Sequence, residues 1–323
     1  MQGKVPFEQS AQTQVYVGID VCKAWLDVYA HPIGQAFRVP NTHTGLKQLK
    51  RRLAGLDVAL IVMEATGKFH REAHRNLHAS GFVVAIVNPL RSRLFAGAIG
   101  QLAKTDKVDA RMLATLAATL DLKAKAPPPE TFERLQEVVR GREAFVIQRT
   151  SLLNQLEAAR ASCLRQEIRR QLKMLEAAIA RLAREIETII SADPALARRL
   201  AILTSIPGLG ATTAAGLLAN FPELGACTAK QAAMIAGLAP IADDSGSRTG
   251  ERHIKGGRAS VRTGLYMAAL TAARFNTDMH GFYARLVAKG KKPKLALTAV
   301  MRKLIVLANT LIREDRLWQP IHA

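Results

Sequence analysis

Four acidic residues interrupt apolar or basic surroundings at positions where chemistry is possible. Asp20 closes the β-rich run "VGID", Glu64 closes "VMEATG", and Asp106 and Asp109 stand three apart in "AKTDKVDARML". Side chains at strand ends of α/β layers emerge into a crevice where ligands sit. Residues three apart in a helix share a face. Carboxylates so placed offer hard oxygen donors to two divalent cations, an arrangement that activates a nucleophile and steadies a leaving group in phosphoryl transfer. Taken singly, each acid also fits a turn or a solvated helix face beside Lys104, Lys107 and Arg111. Taken together, in this order and in a basic chain, they point to a metal site.

A second candidate lies in "LAPIADDSGSRTGERHIKGGRASVRTGL", Leu238 to Leu265, too glycine-rich and too irregular in apolar spacing for a helix or a strand. The apolar runs "AMIAGLAP" and "LYMAALTAA" flank it, which predicts a loop held between packed elements. Arg248, Arg252, Lys255, Arg258 and Arg262 concentrate positive potential there. Ser245 is its candidate for covalent work. No Ser/His/Asp relay is spaced around it, although His253 is near, and an unassisted serine is a weak nucleophile. The residues alone therefore favour phosphate binding by the hydroxyl. Upstream, "SIPGLGATTAAGLLA" reads as a helix-hairpin-helix element in which Gly208 and Gly210 let backbone N–H groups face a phosphate. A plain turn between bundle helices reads almost as well.

These motifs need a scaffold. From Val15 the runs "VYVGIDVCKAWLDVYA", "QAFRVPNT", "VALIVMEAT" and "FVVAIVNP" read as strands; a helical stretch precedes the third, and a helix from about Lys68 to Ala79 precedes the fourth. An α/β layered domain follows. Pro127 to Pro129 cannot continue a helix and mark a boundary. Beyond it Ile168, Leu172, Leu175, Ile179, Leu182, Ile186 and Ile189 alternate spacings of four and three, a coiled-coil seam that calls for a partner helix from this chain or another. The rest is helical and alanine-rich. Three segments are expected: 1–126, 127–193 and 194–323.

The 323 residues carry 46 Lys+Arg against 26 Asp+Glu, a formal charge of +20, and 49% are hydrophobic. That combination fits a folded protein holding a polyanion, with nucleic acid the leading partner. The cations are spread along the chain rather than gathered on one amphipathic helix, no apolar run reads as a membrane span, and the polar start lacks a signal peptide's centre. A cytoplasmic protein with no membrane partner is expected. Cys22, Cys163 and Cys227 are odd in number and far apart, which argues against a disulfide framework or a zinc site.

The blocks "GIDVCKAWLDV", "MEATGKFHREAHRNL", "VNPLRSRLFA" and "KTDKVDARMLA" resemble the RuvC-like, ribonuclease-H-fold domain of the DEDD insertion-sequence transposases, the class that includes the Piv DNA invertase. The resemblance implies divalent metal, Mg²⁺ or Mn²⁺, on Asp20, Glu64, Asp106 and Asp109. "AGLAPIADDSGSRTGERHIKGGRASVRTGLYMAA" is similar to the C-terminal transposase domain of the same family, whose serine before glycine is the nucleophile. That serine matches Ser245, with Gly246 after it; Ser247 follows the glycine and fits less well.

The implied architecture is a RuvC-like α/β N-terminal domain, a central coiled coil and a mainly α-helical C-terminal transposase domain with a helix-hairpin-helix-like element. The implied reaction cuts and rejoins double-stranded DNA at donor and target sites through a serine–DNA phosphodiester. A guide noncoding RNA encoded by the element would select those sites, and the family implies homo-oligomers, dimers or tetramers. The acids and Ser245 fall in different segments and would act together by folding back or between subunits. Two rivals remain open from the sequence. One is a RuvC-like junction nuclease that uses the acids without a covalent intermediate. The other is a non-catalytic nucleic-acid-binding protein whose acids are surface residues.

Overall fold

The computed structural model describes residues 14–320 except 66, 102–105, 243 and 246–249, and the side chains of 106 and 107 also fall outside the description. The chain divides into two compact units, Met1–Pro128 and Pro129–Ala323.

In the first unit, β1 (Val15–Val21), β2 (Trp25–His31) and β3 (Gln35–Pro40) run antiparallel to one another in turn, and α1 (His43–Leu53) follows. Next come β4 (Val58–Glu64), α2 (His70–Ala79), β5 (Val84–Val87), α3 (Pro89–Ala98) and α4 (Asp106–Thr119). The sheet has five strands in the order β3-β2-β1-β4-β5, with β4 parallel to both β1 and β5. This mixed sheet under helices is compatible with a RuvC-like domain. The first apolar run, Val15 to Ala30, is two strands rather than one. The chain reverses at residues 22–24, where the Cys22 N–H donates to the Trp25 carbonyl at 3.0 Å. No glycine or proline marks that reversal, so composition hides it.

Period-two alternation sorts the strands between two cores. On one face Val17, Ile19, Leu26, Val28, Ile61 and Met63 pack with Leu46, Leu49 and Leu53 of α1 and Ala73 and Leu77 of α2. On the other, Leu60, Val62, Ala85 and Val87 pack with Met112, Leu113 and Leu116 of α4. Burial also lowers the basicity of the His74 imidazole, whose Nε2 lies 2.9 Å from the Lys125 carbonyl and ties α2 to the strand of chain leaving α4.

Gly18 decides how close α4 comes. A Cβ at this position would stand 2.1 Å from the Ala110 carbonyl oxygen and 2.4 Å from the Ala114 amide nitrogen. The backbone of α4 therefore rests directly on β1, a contact that only glycine permits.

The second unit is helical. α5 (Glu130–Ala158) and α6 (Ser162–Ser191) form an antiparallel hairpin. Arg165 closes its turn by donating to the Leu156 and Ala159 carbonyls at 3.0 and 2.9 Å. Towards the open end Arg134 pairs with Glu185. All seven positions of the apolar seam on α6 are buried or half-buried. The segment that the sequence sets apart as 127–193 thus packs within this unit, against the helices that follow.

Those helices are α7 (Pro194–Thr204), α8 (Ala211–Asn220) and α9 (Ala229–Ile235). A two-stranded ribbon of β6 (Pro240–Ile241) and β7 (His253–Ile254) comes next, then α10 (Ala259–Phe275), α11 (Thr277–Ala288) and α12 (Pro293–Arg313). α12 corrects the reading that no apolar run approaches a membrane span: it is long and apolar enough for one by length and composition alone. Its residues Val300, Leu304, Ile305, Ala308 and Leu311 instead sit in the core of this unit. The buried Asn309 accepts from the Gly225 amide at 2.8 Å and donates to the Cys227 carbonyl at 2.8 Å. An apolar stripe with a satisfied polar anchor is how a central core helix reads.

Gly18→Ala forces backbone against backbone. It should cost at or above the upper end of the roughly 1–3 kcal/mol typical of overpacking, measured as a loss of stability in urea unfolding of the purified chain.

Candidate active site

Asp20 and Glu64 are brought to one place by strand register. β1 and β4 pair in parallel through Ile19 with Met63, so the next residue on each strand, Asp20 and Glu64, stands at the same level. Both belong to the alternation that faces α4, in line with Gly18 on β1 and Val62 on β4. Each is half-buried.

α4 begins at Asp106 and carries Asp109 immediately before Ala110. Ala110 rests on Gly18 and also borders Asp27, the β2 residue directly opposite Asp20. The N-terminal turn of α4 therefore lies over the Asp20 end of β1, and Asp109 is half-buried there. The side chain of Asp106 lies outside the described residues. Among the described residues no three metal-ligating side chains form a cluster. The donor chemistry nonetheless fits a hard divalent cation: carboxylates from two adjacent parallel strand ends and from the first turn of the helix above them.

Two features of this site escape sequence reasoning. The first is Asp27, a residue 4% exposed. Like charges directly opposite on paired strands repel. Arg38, its neighbour on β3, offsets this with a bidentate pair, Nε to Oδ1 at 2.9 Å and the second guanidinium nitrogen to Oδ2 at 2.8 Å. In the sequence Asp27 is indistinguishable from any polar residue on the outer face of a strand. The second is Ser92 of α3, whose hydroxyl donates to Glu64 Oε2 at 2.5 Å. A serine inside a helix-forming block gives no periodic signal.

Ser245 lies in the second unit, exposed, between β6 and β7. The stretch read as an irregular loop is a short ribbon: Pro240 pairs with Ile254, and Ile241 with His253. Its base is pinched by glycines. Gly237 and Gly257 have φ of +68° and +67°, and a Cβ on Gly257 would fall 2.2 Å from the Gly237 amide nitrogen. Arg258 donates from its amide to the Ile235 carbonyl at 2.8 Å, closing the same base. Asp244, adjacent to the serine, accepts from the Gly250 amide at 3.1 Å and so braces the ribbon's far end.

The basic residues of this region do different things. Arg252 and Lys255 are exposed on the ribbon. The Arg258 guanidinium is engaged with Glu223, at 2.6 and 2.9 Å, and donates to the Asn220 carbonyl. Arg262 donates to the Gly256 carbonyl at 2.8 Å. These two arginines fasten the ribbon to the helices beneath it. Arg248, Gly246, Ser247 and Asp243 lie outside the described residues. His253 is exposed on β7, with Nε2 3.9 Å from a Glu251 carboxylate oxygen.

Gly208 has φ of +104°, and its Cβ would meet Ala272 of α10 at 2.6 Å, so the turn between α7 and α8 is pressed against a neighbouring helix. Gly210 is exposed and caps the start of α8.

Comparison with known proteins fits both halves. Residues 17–166 match a family model described as a transposase, of the DEDD IS110 type, and residues 200–284 match the transposase IS116/IS110/IS902 family. The chain is 28% identical over 328 residues to the pilin gene-inverting protein of Moraxella bovis, covering 94% of this chain and 97% of that one.

The chain belongs to the IS110 family of transposases.

The transposase is also 27% identical over 328 residues to the pilin gene-inverting protein of Moraxella lacunata, covering 94% of this chain and 97% of that one. An insertion element IS116 protein of Streptomyces clavuligerus is 29% identical over 180 residues, covering 55% of this chain and 43% of that one. The transposase is accordingly a DNA recombinase, and the DEDD family suggests dependence on divalent metal.

The pinch at the ribbon base has a direct test. Gly257→Ala has no room and an unfavourable φ, so the ribbon should open locally and trypsin should cut after Arg252 and Lys255 about tenfold faster, the response to about 1.4 kcal/mol of local opening. Unchanged cutting would mean the glycines do not hold the ribbon closed.

Proposed function

We propose that this transposase cuts and rejoins double-stranded DNA through a covalent bond between Ser245 and a DNA phosphate. The observation that carries the reading is the convergence of Asp20 and Glu64 on one sheet face beneath the first turn of α4, in a chain of the DEDD transposase family. Mg²⁺ or Mn²⁺ held by Asp20, Glu64, Asp106 and Asp109 would supply positive charge to a phosphodiester and acidify a nearby hydroxyl.

The residues of the chain then divide the work. Ser245 Oγ attacks phosphorus, its proton passes to the departing oxygen, and one P–O bond of the strand breaks to leave a free hydroxyl end and a phosphoserine ester. Attack on that ester by the hydroxyl of another strand end restores a phosphodiester and returns the proton to Ser245. The number of phosphoester bonds is conserved, so rejoining needs no external energy source. Exposed Arg252 and Lys255, with Arg248, offset charge on the phosphate in transit. Arg258 and Arg262 hold the ribbon that carries the serine. Gly208 and Gly210 shape the start of α8 as a sequence-independent grip on the DNA backbone.

The wider assignment follows the family resemblance. The three segments 1–126, 127–193 and 194–323 act as RuvC-like catalytic domain, coiled-coil oligomerisation region and serine-bearing transposase domain. The oligomerisation role is supported by the exposed apolar residues Ile147 and Met174 on the α5–α6 hairpin, which suit a homo-oligomer, dimer or tetramer, while the α6 seam is itself covered within the chain. A charge of +20 suits a chain that holds a guide noncoding RNA as well as DNA.

With recombination-site DNA and Mg²⁺, a denaturing gel should reveal protein covalently attached to a DNA end. Ser245→Ala should abolish the adduct and lower joining by at least about 10³-fold, and Asp20→Asn should suppress both. Full strand transfer by Ser245→Ala would overturn the serine's role. Metal-dependent cutting with no adduct would indicate a hydrolytic nuclease, and DNA binding unaffected by Asp20→Asn without cutting would indicate a non-catalytic binding protein.

A further inference from the structure

We infer that Ser92 is a positioning residue for Glu64, fixing which carboxylate oxygen is left to face a divalent cation. The inference rests on the metal-site reading above and assigns a role to the "VNPLRSRLFA" block, which that reading leaves without one.

The geometry begins with strand register. Glu64 at the end of β4 pairs with Val87 at the end of β5, and the Ala65 amide donates to the Val87 carbonyl at 3.0 Å. The chain then starts α3 without delay. The Asn88 side chain caps it by accepting from the Leu90 amide at 2.8 Å, and Pro89 occupies the first helical position, where its fixed φ suits the helix and its missing N–H costs nothing. One turn later Ser92 comes back to the strand ends it has just left. It is 1% exposed.

A helical serine ordinarily gives its proton to a carbonyl one turn back. Ser92 Oγ does lie 3.0 Å from the Pro89 carbonyl, yet it is only 2.5 Å from Glu64 Oε2. A hydroxyl has a single proton, and the shorter contact to the carboxylate takes it. Among the described residues Oε1 accepts no hydrogen bond. Holding one carboxylate oxygen from a buried serine on a capped helix removes the freedom of Glu64 to rotate and orients the other oxygen, the way ligand orientation is set from outside a metal's own ligands.

The test is Mn²⁺ binding by the purified full-length chain, followed by electron paramagnetic resonance, with circular dichroism melting as the control for folding. Ser92→Ala should weaken Mn²⁺ binding tenfold or more while the melt changes little, in the range seen when a ligand's orienting partner is removed. Ser92→Cys, which keeps the shape of the side chain but is a weaker donor, should fall between. In a Glu64→Gln background Ser92→Ala should have no further effect. Wild-type affinity in Ser92→Ala overturns the inference, as does an equal further loss in the Glu64→Gln background. If Ser92→Ala does not fold, Ser92→Cys with wild-type affinity overturns it. No Mn²⁺ binding by the wild type would overturn the metal-site reading itself, a result distinct from binding that ignores Ser92.

Discussion

The contact between Gly18 and the backbone of α4 is the constraint on which the first unit depends. With no side chain on β1 at that point, the helix settles onto the strand itself. Its sheet-facing stripe, Ala110, Leu113, Ala114 and Ala117, is small where it must approach and larger where it fills the flank. The consequence for function is placement. A helix that close brings its first turn, with Asp106 and Asp109, over the strand end that holds Asp20. Any side chain on residue 18 would lift the helix, and the acids would part by the same displacement.

Around that contact the unit manages a concentration of negative charge. Asp27 sits directly across from Asp20, and two carboxylates in such register repel. The bidentate pair with Arg38 neutralises Asp27 within the sheet. Glu64 is held from the opposite flank by Ser92. The second unit handles the reverse problem, an accumulation of positive charge on a short ribbon. It divides the cations between fastening and exposure: Arg258 bonds to Glu223 and Arg262, from α10, bonds to the Gly256 carbonyl at the ribbon's base, whereas Arg252 and Lys255 remain open to solvent. The glycine pinch at Gly237 and Gly257 lets so short a ribbon hold its shape.

The parts of this structure that were legible in the sequence are those in which one residue type is out of place. Asp20 and Glu64 end apolar runs, and the seam from Ile168 to Ile189 keeps helical spacing, so strand ends and seam both appear before any coordinates. Asp244 stands beside Ser245 with no pattern in the sequence to give it a role, and its bond to the Gly250 amide shows it as a brace for the ribbon. Other features depend on partners far away in the chain. Asp27 acquires meaning only from its pairing with Asp20 and Arg38, and Ser92 only from a carboxylate 28 residues earlier. The reversal at residues 22–24 uses residues with no turn preference, so two strands read as one. α12 has the length and composition of a membrane span as well as of a central core helix, and only burial separates the two.

The most direct measurement of the central claim, that the acids of β1, β4 and α4 form a single cation site, is cleavage of the polypeptide by bound iron. Fe²⁺ substituted for the natural cation, with ascorbate and peroxide, generates hydroxyl radicals that cut the backbone beside it. The account predicts cuts at three separated places in the sequence, near residues 20, 64 and 106–109, suppressed by excess Mg²⁺ and by Asp20→Asn. Cuts confined to one of these places, or cuts elsewhere that survive Asp20→Asn, would contradict it.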